Sequence, residues 1–225
     1  MKLLKITFKF IKSLLIISVL SVVLFKYVNP PLTPLIIIRS IEGIIKSDFS
    51  GIYRVWKNYN EISPNFFSAV VGGEDARFLS HSGIDWRAVK DAQNYNRIHK
   101  GKKKRGASTI SMQTAKNTFL NHSRNYLRKA LEAYFTYMIE AIWGKKRILE
   151  IYANVIELGN GIYGIEAAST IYFNKRARDL TIREAALIAA VLPNPRRWSP
   201  DKPTNYIKGR SNWIISRMGK LTFDE

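Results

Sequence analysis

Cysteine is absent from the 225 residues, which excludes disulfides and thiolate-held metals and leaves the redox compartment open. Histidine is nearly absent as well: the three present are not at the HExxH spacing of a zinc hydrolase. Acidic residues are scarce, 17 against 36 lysines and arginines, so the formal net charge is +19. Such a field draws in polyanions: nucleic acid, anionic lipid headgroups or phosphorylated substrates. Period-two alternation is rare and no internal repeat is visible, which removes sheet-built and solenoid architectures. Nor does any uninterrupted apolar run reach the roughly 20 residues a bilayer requires. The longest, 13–25, lies between Lys12 and Lys26.

That run still reads as an anchor. Phe8, Phe10 and Ile11 extend it if Lys9 and Lys12 snorkel toward headgroups. No small-x-small cleavage site follows, which favours an uncleaved signal anchor over a removed leader. Lys2, Lys5, Lys9 and Lys12 then belong in the cytoplasm, and everything after Tyr27 lies outside it. With 46% hydrophobic and 24% charged residues the rest is a folded chain, long enough for one core. The expected division is 1–28 for stub and anchor, 29–50 for linker and membrane-proximal segment, and 51–225 for one catalytic domain.

Asn29-Pro30-Pro31-Leu32-Thr33-Pro34 reads as a stiff linker. The apolar stretch after it, broken by Arg39 and Glu42, suits either core or a segment against the bilayer. From Ser63 onward the pattern is mostly helical, giving a predominantly all-α domain. Ser63-Pro64 opens a helix that Gly72-Gly73 is expected to end, leaving Glu74 in a loop or at the next helix start. Further helices are expected over 84–98, 127–143, 147–158 and 205–221. Thr181-Ile-Arg-Glu184 is a capping box opening an alanine-rich buried helix.

Three clusters carry more polarity than packing requires. The first is Glu74-Asp75-Ala-Arg77-Phe78, continuing to His81, Gly83 and Asp85. Paired acids at a helix end are often dipole complements, but the neighbours exceed what a surface cap needs. A structural hydrogen bond between His81 and Asp85 is expected here in preference to a metal pair. The second, 106–117, joins Gly106, Ser108, Thr109, Ser111 and Gln113 to Lys116 and Asn117. It is either an N-capped helix facing solvent or a cradle for phosphate oxygens. No nucleophile-elbow pattern surrounds Ser108, which argues against a hydrolase triad. The third places Arg128 and Glu132 four residues apart beside Lys129. A solvated ion pair accounts for it equally well, yet with Arg124 and Lys116 it offers charge enough to hold a diphosphate. The run Lys100-Gly-Lys102-Lys103-Lys104-Arg105 is a solvated loop, able to touch anionic headgroups.

Taken in order, Glu74-Asp-x-x-Phe-x-x-His-x-Gly-x-Asp85, Gly106-Ala-Ser-Thr-Ile, Arg128-Lys-x-x-Glu132 and Lys146-Arg-Ile-Leu-Glu-x-Tyr-x-Asn154 resemble the successive motifs of the family 51 peptidoglycan glycosyltransferases. Gly164-Ile-Glu-Ala-Ala168 and the stretch from Glu184 to Pro195 resemble its last region. The match covers roughly 52–213, and the chain ends soon after. The expectation is therefore a monofunctional biosynthetic transglycosylase without a transpeptidase domain. One departure is Met112, where the family has the first of two glutamines; Gln113 keeps the second.

The resemblance implies a lysozyme-like helical domain with a small membrane-proximal lobe, polymerising lipid II into glycan strands and releasing undecaprenyl diphosphate, with sensitivity to moenomycin. It makes Glu74 the base that deprotonates the acceptor 4-hydroxyl, and Glu132 a second site carboxylate that orients bases or a divalent ion. Lys116, Arg124, Arg128 and Lys129 stabilise the departing diphosphate, and Asp75, Ser108 and Gln113 complete the substrate site. A cofactor is not required by the resemblance, although magnesium or manganese stays open as an option. Lipid II, the growing strand, membrane lipids and cell-wall synthesis or division proteins are the implied partners, and nucleic acid is not. Two rival readings are a lytic, lysozyme-like enzyme and a non-catalytic membrane scaffold. The basic cluster disfavours the first, since a neutral leaving group would not need it. Basic residues that do not interleave with aromatics disfavour the second as a nucleic-acid binder.

Overall fold

In the structure, a computed structural model, residues 2–100, 105–123, 125–221 and 223 are described, with side chains from residue 5 onward. Helix α1 (Lys2–Tyr27) contains neither proline nor glycine and stops just before Pro30-Pro31. Its apolar part, Lys5–Tyr27, has 23 residues, about 35 Å of helix against a hydrocarbon layer of about 30 Å. Most of it is exposed, but the last turns are docked on the domain. Trp143 Nε1 donates to the Val22 carbonyl at 2.7 Å, and the Ser18 and Tyr134 hydroxyls lie 2.9 Å apart. Arg147 closes the junction with bonds to the Phe25 carbonyl at 2.9 Å and Asn29 Oδ1 at 3.0 Å.

The segment after the prolines is more than a linker. Thr33 caps α2 (Pro34–Ile45), with Pro34 in the first turn, where its missing N–H costs nothing. Both sequence alternatives for this stretch are realised on one helix. Leu35 and Ile36 are buried beside Tyr163, whereas Ile37, Ile41, Ile44 and Ile45 face outward.

Next come strand β1 (Tyr53–Arg54), then α3 (Pro64–Glu74), α4 (Trp86–Ile98), α5 (Ile110–Phe119), α6 (Tyr126–Ile142) and α7 (Lys145–Val155). Strands β2 (Glu157–Gly159) and β3 (Ile162–Tyr163) precede α8 (Ile165–Phe173), α9 (Ile182–Val191) and α10 (Asn205–Ile215). The strands form a small sheet of order β1-β3-β2, with β1 and β3 parallel and β2 and β3 antiparallel.

Polar caps set most helix starts. Ser63, Thr109, Asn125, Thr181 and Thr204 each accept a backbone N–H in the first turn, and Thr181 and Glu184 complete the capping box. Asp85 does the same for α4, so that helix begins at Trp86, two residues later than expected. Two helices also end earlier than their patterns imply. α7 stops at Val155, because Ile156 turns extended and the chain enters β2. α10 stops at Ile215 with a turn at Ser216.

The glycine pair is a correction. α3 runs straight through Gly72-Gly73 and ends on Glu74. The glycines serve closeness, not termination: a Cβ at Gly72 would stand 2.9 Å from the Arg217 carbonyl, and one at Gly73 3.1 Å from Ile214 Cδ1. Alanines do the same for α9, where Ala185, Ala186, Ala189 and Ala190 are buried and let α3 and α10 pack from two sides. α10 is thereby held against the end of α3 that carries Glu74.

Candidate active site

Glu74 sits where α3 stops, its side chain largely shielded and both carboxylate oxygens engaged. Gln113 Nε2 donates to Oε2 at 2.9 Å and Arg210 to Oε1 at 3.2 Å. Gln113 comes from α5 and Arg210 from α10, so three helices fix one carboxylate. A cleft of about 370 Å³ opens beside it, walled by Arg77, Asp85, Arg105, Ser108, Trp213 and Arg217. Ser108 stands exposed on that wall. Trp213 carries Arg217 over its ring at 4.7 Å and Arg210 at 6.0 Å.

Asp75 lies in the same cleft but faces inward. Its carboxylate is buried, accepts the Ile110 N–H at 3.0 Å and meets His81 Nε2 at 3.0 Å. It therefore ties the end of α3 to the start of α5, which keeps Gln113 opposite Glu74. The expected His81–Asp85 bond is not formed. His81 turns to Asp75, while Asp85 takes a two-pronged bond from Arg77 at 2.7 and 3.0 Å and caps Ala88. The two parallel N–H donors of a guanidinium match a carboxylate better than a single ring nitrogen does. Met112 is buried, so the departure from the family's first glutamine falls on an inward-facing position.

One helical turn beyond Gln113, Lys116 projects from α5 toward a second charged group on α6. Glu132, nearly fully buried, pairs with Arg128 and with Lys129 at 2.6 Å. The Lys116 side chain forms no hydrogen bond or ion pair among the described residues. Burial lowers its pKa, Arg128 and Lys129 push the same way, and Glu132 opposes them. Arg128 Nε is buried without a partner. Arg124 lies outside the described residues. A buried excess of cations with unused donors suits an anion better than a metal. Both Glu132 oxygens are already taken by cations, and no trio of His, Asp or Glu among the described residues forms a metal set. These residues do not fit a divalent ion.

His122 borders the same group. Burial, then the charges of Lys116, Arg39 and Arg128, lower its pKa from 6.5 to about 4, with Glu42 opposing weakly. The folded protein thus binds the His122 proton less readily than the unfolded chain. Stability is unaffected above pH 6.5 and is lost as pH falls from there toward 4. Between pH 7 and 5 the loss is at most about 2 kcal/mol. Thermal unfolding in detergent at the two pH values checks this: His122→Gln should show a smaller drop in Tm than the wild type.

Two residues of the site escaped the sequence reading. Arg210 falls within the helix expected over 205–221, and only the packing of α10 brings it to Glu74. Tyr152 stands within the Lys146–Asn154 motif, which gave it no role of its own. It is fully buried with an unpartnered hydroxyl, and burial together with the charges of Glu74 and Asp75 raises its pKa well above the usual phenol value. The ring therefore stays neutral behind the two acids.

A family model described as Transglycosylase matches residues 42–219. Among curated proteins, the biosynthetic peptidoglycan transglycosylase of Bdellovibrio bacteriovorus is 50% identical over 211 residues, covering 92% of this chain and 84% of that relative. The protein of the same name from Rhodospirillum centenum is 49% identical, covering 94% and 88%. That from Shewanella oneidensis is 45% identical, covering 95% and 90%.

Proposed function

Because the chain belongs to the transglycosylase family, we propose a residue-level account of how it builds glycan strands. The protein is a peptidoglycan glycosyltransferase that polymerises lipid II. In this account Glu74 accepts the proton of the acceptor sugar's 4-hydroxyl. The freed oxygen bonds to C1 of the growing strand's terminal muramyl residue as the C1–O bond to diphosphate breaks, inverting the anomeric centre. The bonding pair leaves on undecaprenyl diphosphate, and the proton passes from Glu74 to water.

The observation that carries this account is the Glu74 carboxylate at the cleft, held by Gln113 and Arg210 on its two oxygens. A base aimed by two donors is positioned before substrate arrives. The leaving diphosphate is stable without protonation, so its charge is the main demand. Lys116, Arg128 and Lys129, with Arg124, supply that charge. Gln113 and Lys116 are one turn apart on α5, which couples base and anion site through one rigid element. Asp75 acts as a positioning residue, and Ser108 offers a hydroxyl to the sugar from the wall of the cleft.

The membrane reading extends the account. α1 is long and apolar enough to span a bilayer. We place its lysines in the cytoplasm by the positive-inside rule and the domain on the outer face of the inner membrane. There α2 lays its exposed isoleucines against the lipid, and the +19 charge suits anionic headgroups and diphosphates. Lipid II, the growing strand and the bilayer are the partners of this account; cell-wall synthesis or division proteins would recruit the enzyme.

Incubating detergent-solubilised protein with labelled lipid II, with and without moenomycin, tests the reaction. Long polymers that disappear with moenomycin are expected. Shortening of preformed strands, with no polymer from lipid II, would overturn it.

A further inference from the structure

A second cleft, of about 550 Å³, opens on the far side of the Arg77–Asp85 bridge. Its walls are the 80–87 loop and α6, and it shares Arg77 and Asp85 with the catalytic cleft. Trp86 and Tyr137 flank it, 65% and 46% exposed, so both rings are open to a ligand. Neither ring stacks on another aromatic ring among the described residues. Arg87 lies beside them with no hydrogen bond or ion pair among the described residues, and Ser82 adds a hydroxyl.

The walls are fixed. Gly83, at φ +95°, lets the loop lie against α6, where a Cβ would stand 2.7 Å from Thr136 Cγ2. Lys145 holds the His81 carbonyl at 2.6 Å. Asp85 caps Ala88, which sets the first turn of α4 and with it Trp86 and Arg87. Two outward rings and an unpaired guanidinium on a rigid wall match a ligand with apolar faces and a carboxylate. Sugar rings present C–H faces to aromatic rings, and an acidic peptide branch presents the carboxylate. A cleft that shares the Arg77–Asp85 wall with the active site is where a polymer would lie on leaving it.

We propose that this cleft binds the lipid-free part of the peptidoglycan strand, with sugar faces on Trp86 and Tyr137 and a stem-peptide carboxylate on Arg87. The inference rests on the proposed polymerase activity and deepens it, because a strand held here stays with the enzyme between additions.

The test uses the full chain in detergent, titrated calorimetrically with lipid-free tetrasaccharides carrying stem peptides. Trp86→Ala and Arg87→Ala should each weaken binding about fivefold or more, while Trp86→Phe stays near the wild type. With the peptides removed, binding should remain sensitive to Trp86→Ala and become insensitive to Arg87→Ala. Strands made from lipid II by Trp86→Ala should be shorter on gels. Melting temperatures show that each variant is folded, and Arg87→Ala, at an unpaired surface residue, keeps the test valid if Trp86→Ala is not. Unchanged affinity and strand length, or no binding by the wild type, would overturn the proposal while leaving polymerisation intact. A wild-type protein that made no polymer would instead sink the functional reading beneath it.

Discussion

Glu74→Gln is expected to lower the rate of lipid II polymerisation by about two to four orders of magnitude, the span of a positioned general base. That corresponds to roughly 3–5 kcal/mol on the barrier. The fold should survive. The introduced amide has nearly the volume of the acid, and its carbonyl oxygen can still accept from Arg210, while Gln113 can turn its own amide to accept in place of donating. Arg210 loses a charged partner but keeps the amide oxygen as an acceptor and its place over Trp213. Melting temperature should therefore move little while activity collapses. Glu74→Asp separates base from placement. It keeps a carboxylate but withdraws it by one methylene from the proton it must take, so intermediate activity is expected. Single-turnover rates with labelled lipid II decide the matter. A Glu74→Gln enzyme that polymerises within tenfold of the wild type would end the assignment of Glu74 as the base.

The sequence was most legible where the physics is local. The caps at Ser63 and Thr181 and the apolar N-terminal helix follow from neighbours within a few residues, and the structure has them. Helical spacing was enough to set Lys116 one turn from Gln113 and Glu132 one turn from Arg128. What could not be read depends on contacts across long stretches of chain. Arg210 reaches Glu74 from 136 residues away. Gly72-Gly73 has the form of a helix stop, but its reason is the Arg217 carbonyl lying against it, which no local rule contains. His81 had two acids within reach, and its choice of Asp75 was settled by Arg77 taking Asp85. The exposed face of α2 and the buried one were both present in its apolar pattern; which residue faced which way awaited β3 and Tyr163.

Glu132→Gln should affect stability and catalysis by a different route from Glu74. Among the described residues the carboxylate is the only acid bonded to Arg128 and Lys129, and with Glu157 it opposes the depressed pKa of Lys116. Removing its charge leaves three cations crowded together. Breaking a buried pair costs about 3–5 kcal/mol, but Lys129 is half exposed and can swing into water, which lowers the expected loss to roughly 1–3 kcal/mol. A melting temperature several degrees below the wild type is expected. Inorganic diphosphate should narrow that gap, since an anion bound only by the folded state stabilises it and can stand where the carboxylate charge was. The pH–rate profile separates the possible roles. A carboxylate that donated a proton to the leaving group would take one limb of the profile with it when replaced. A carboxylate that arranges cations would leave the shape of the profile unchanged, lower its height and raise KM for lipid II. The second pattern is expected, because a diphosphate departs without a proton. A missing limb would make Glu132 an acid catalyst instead.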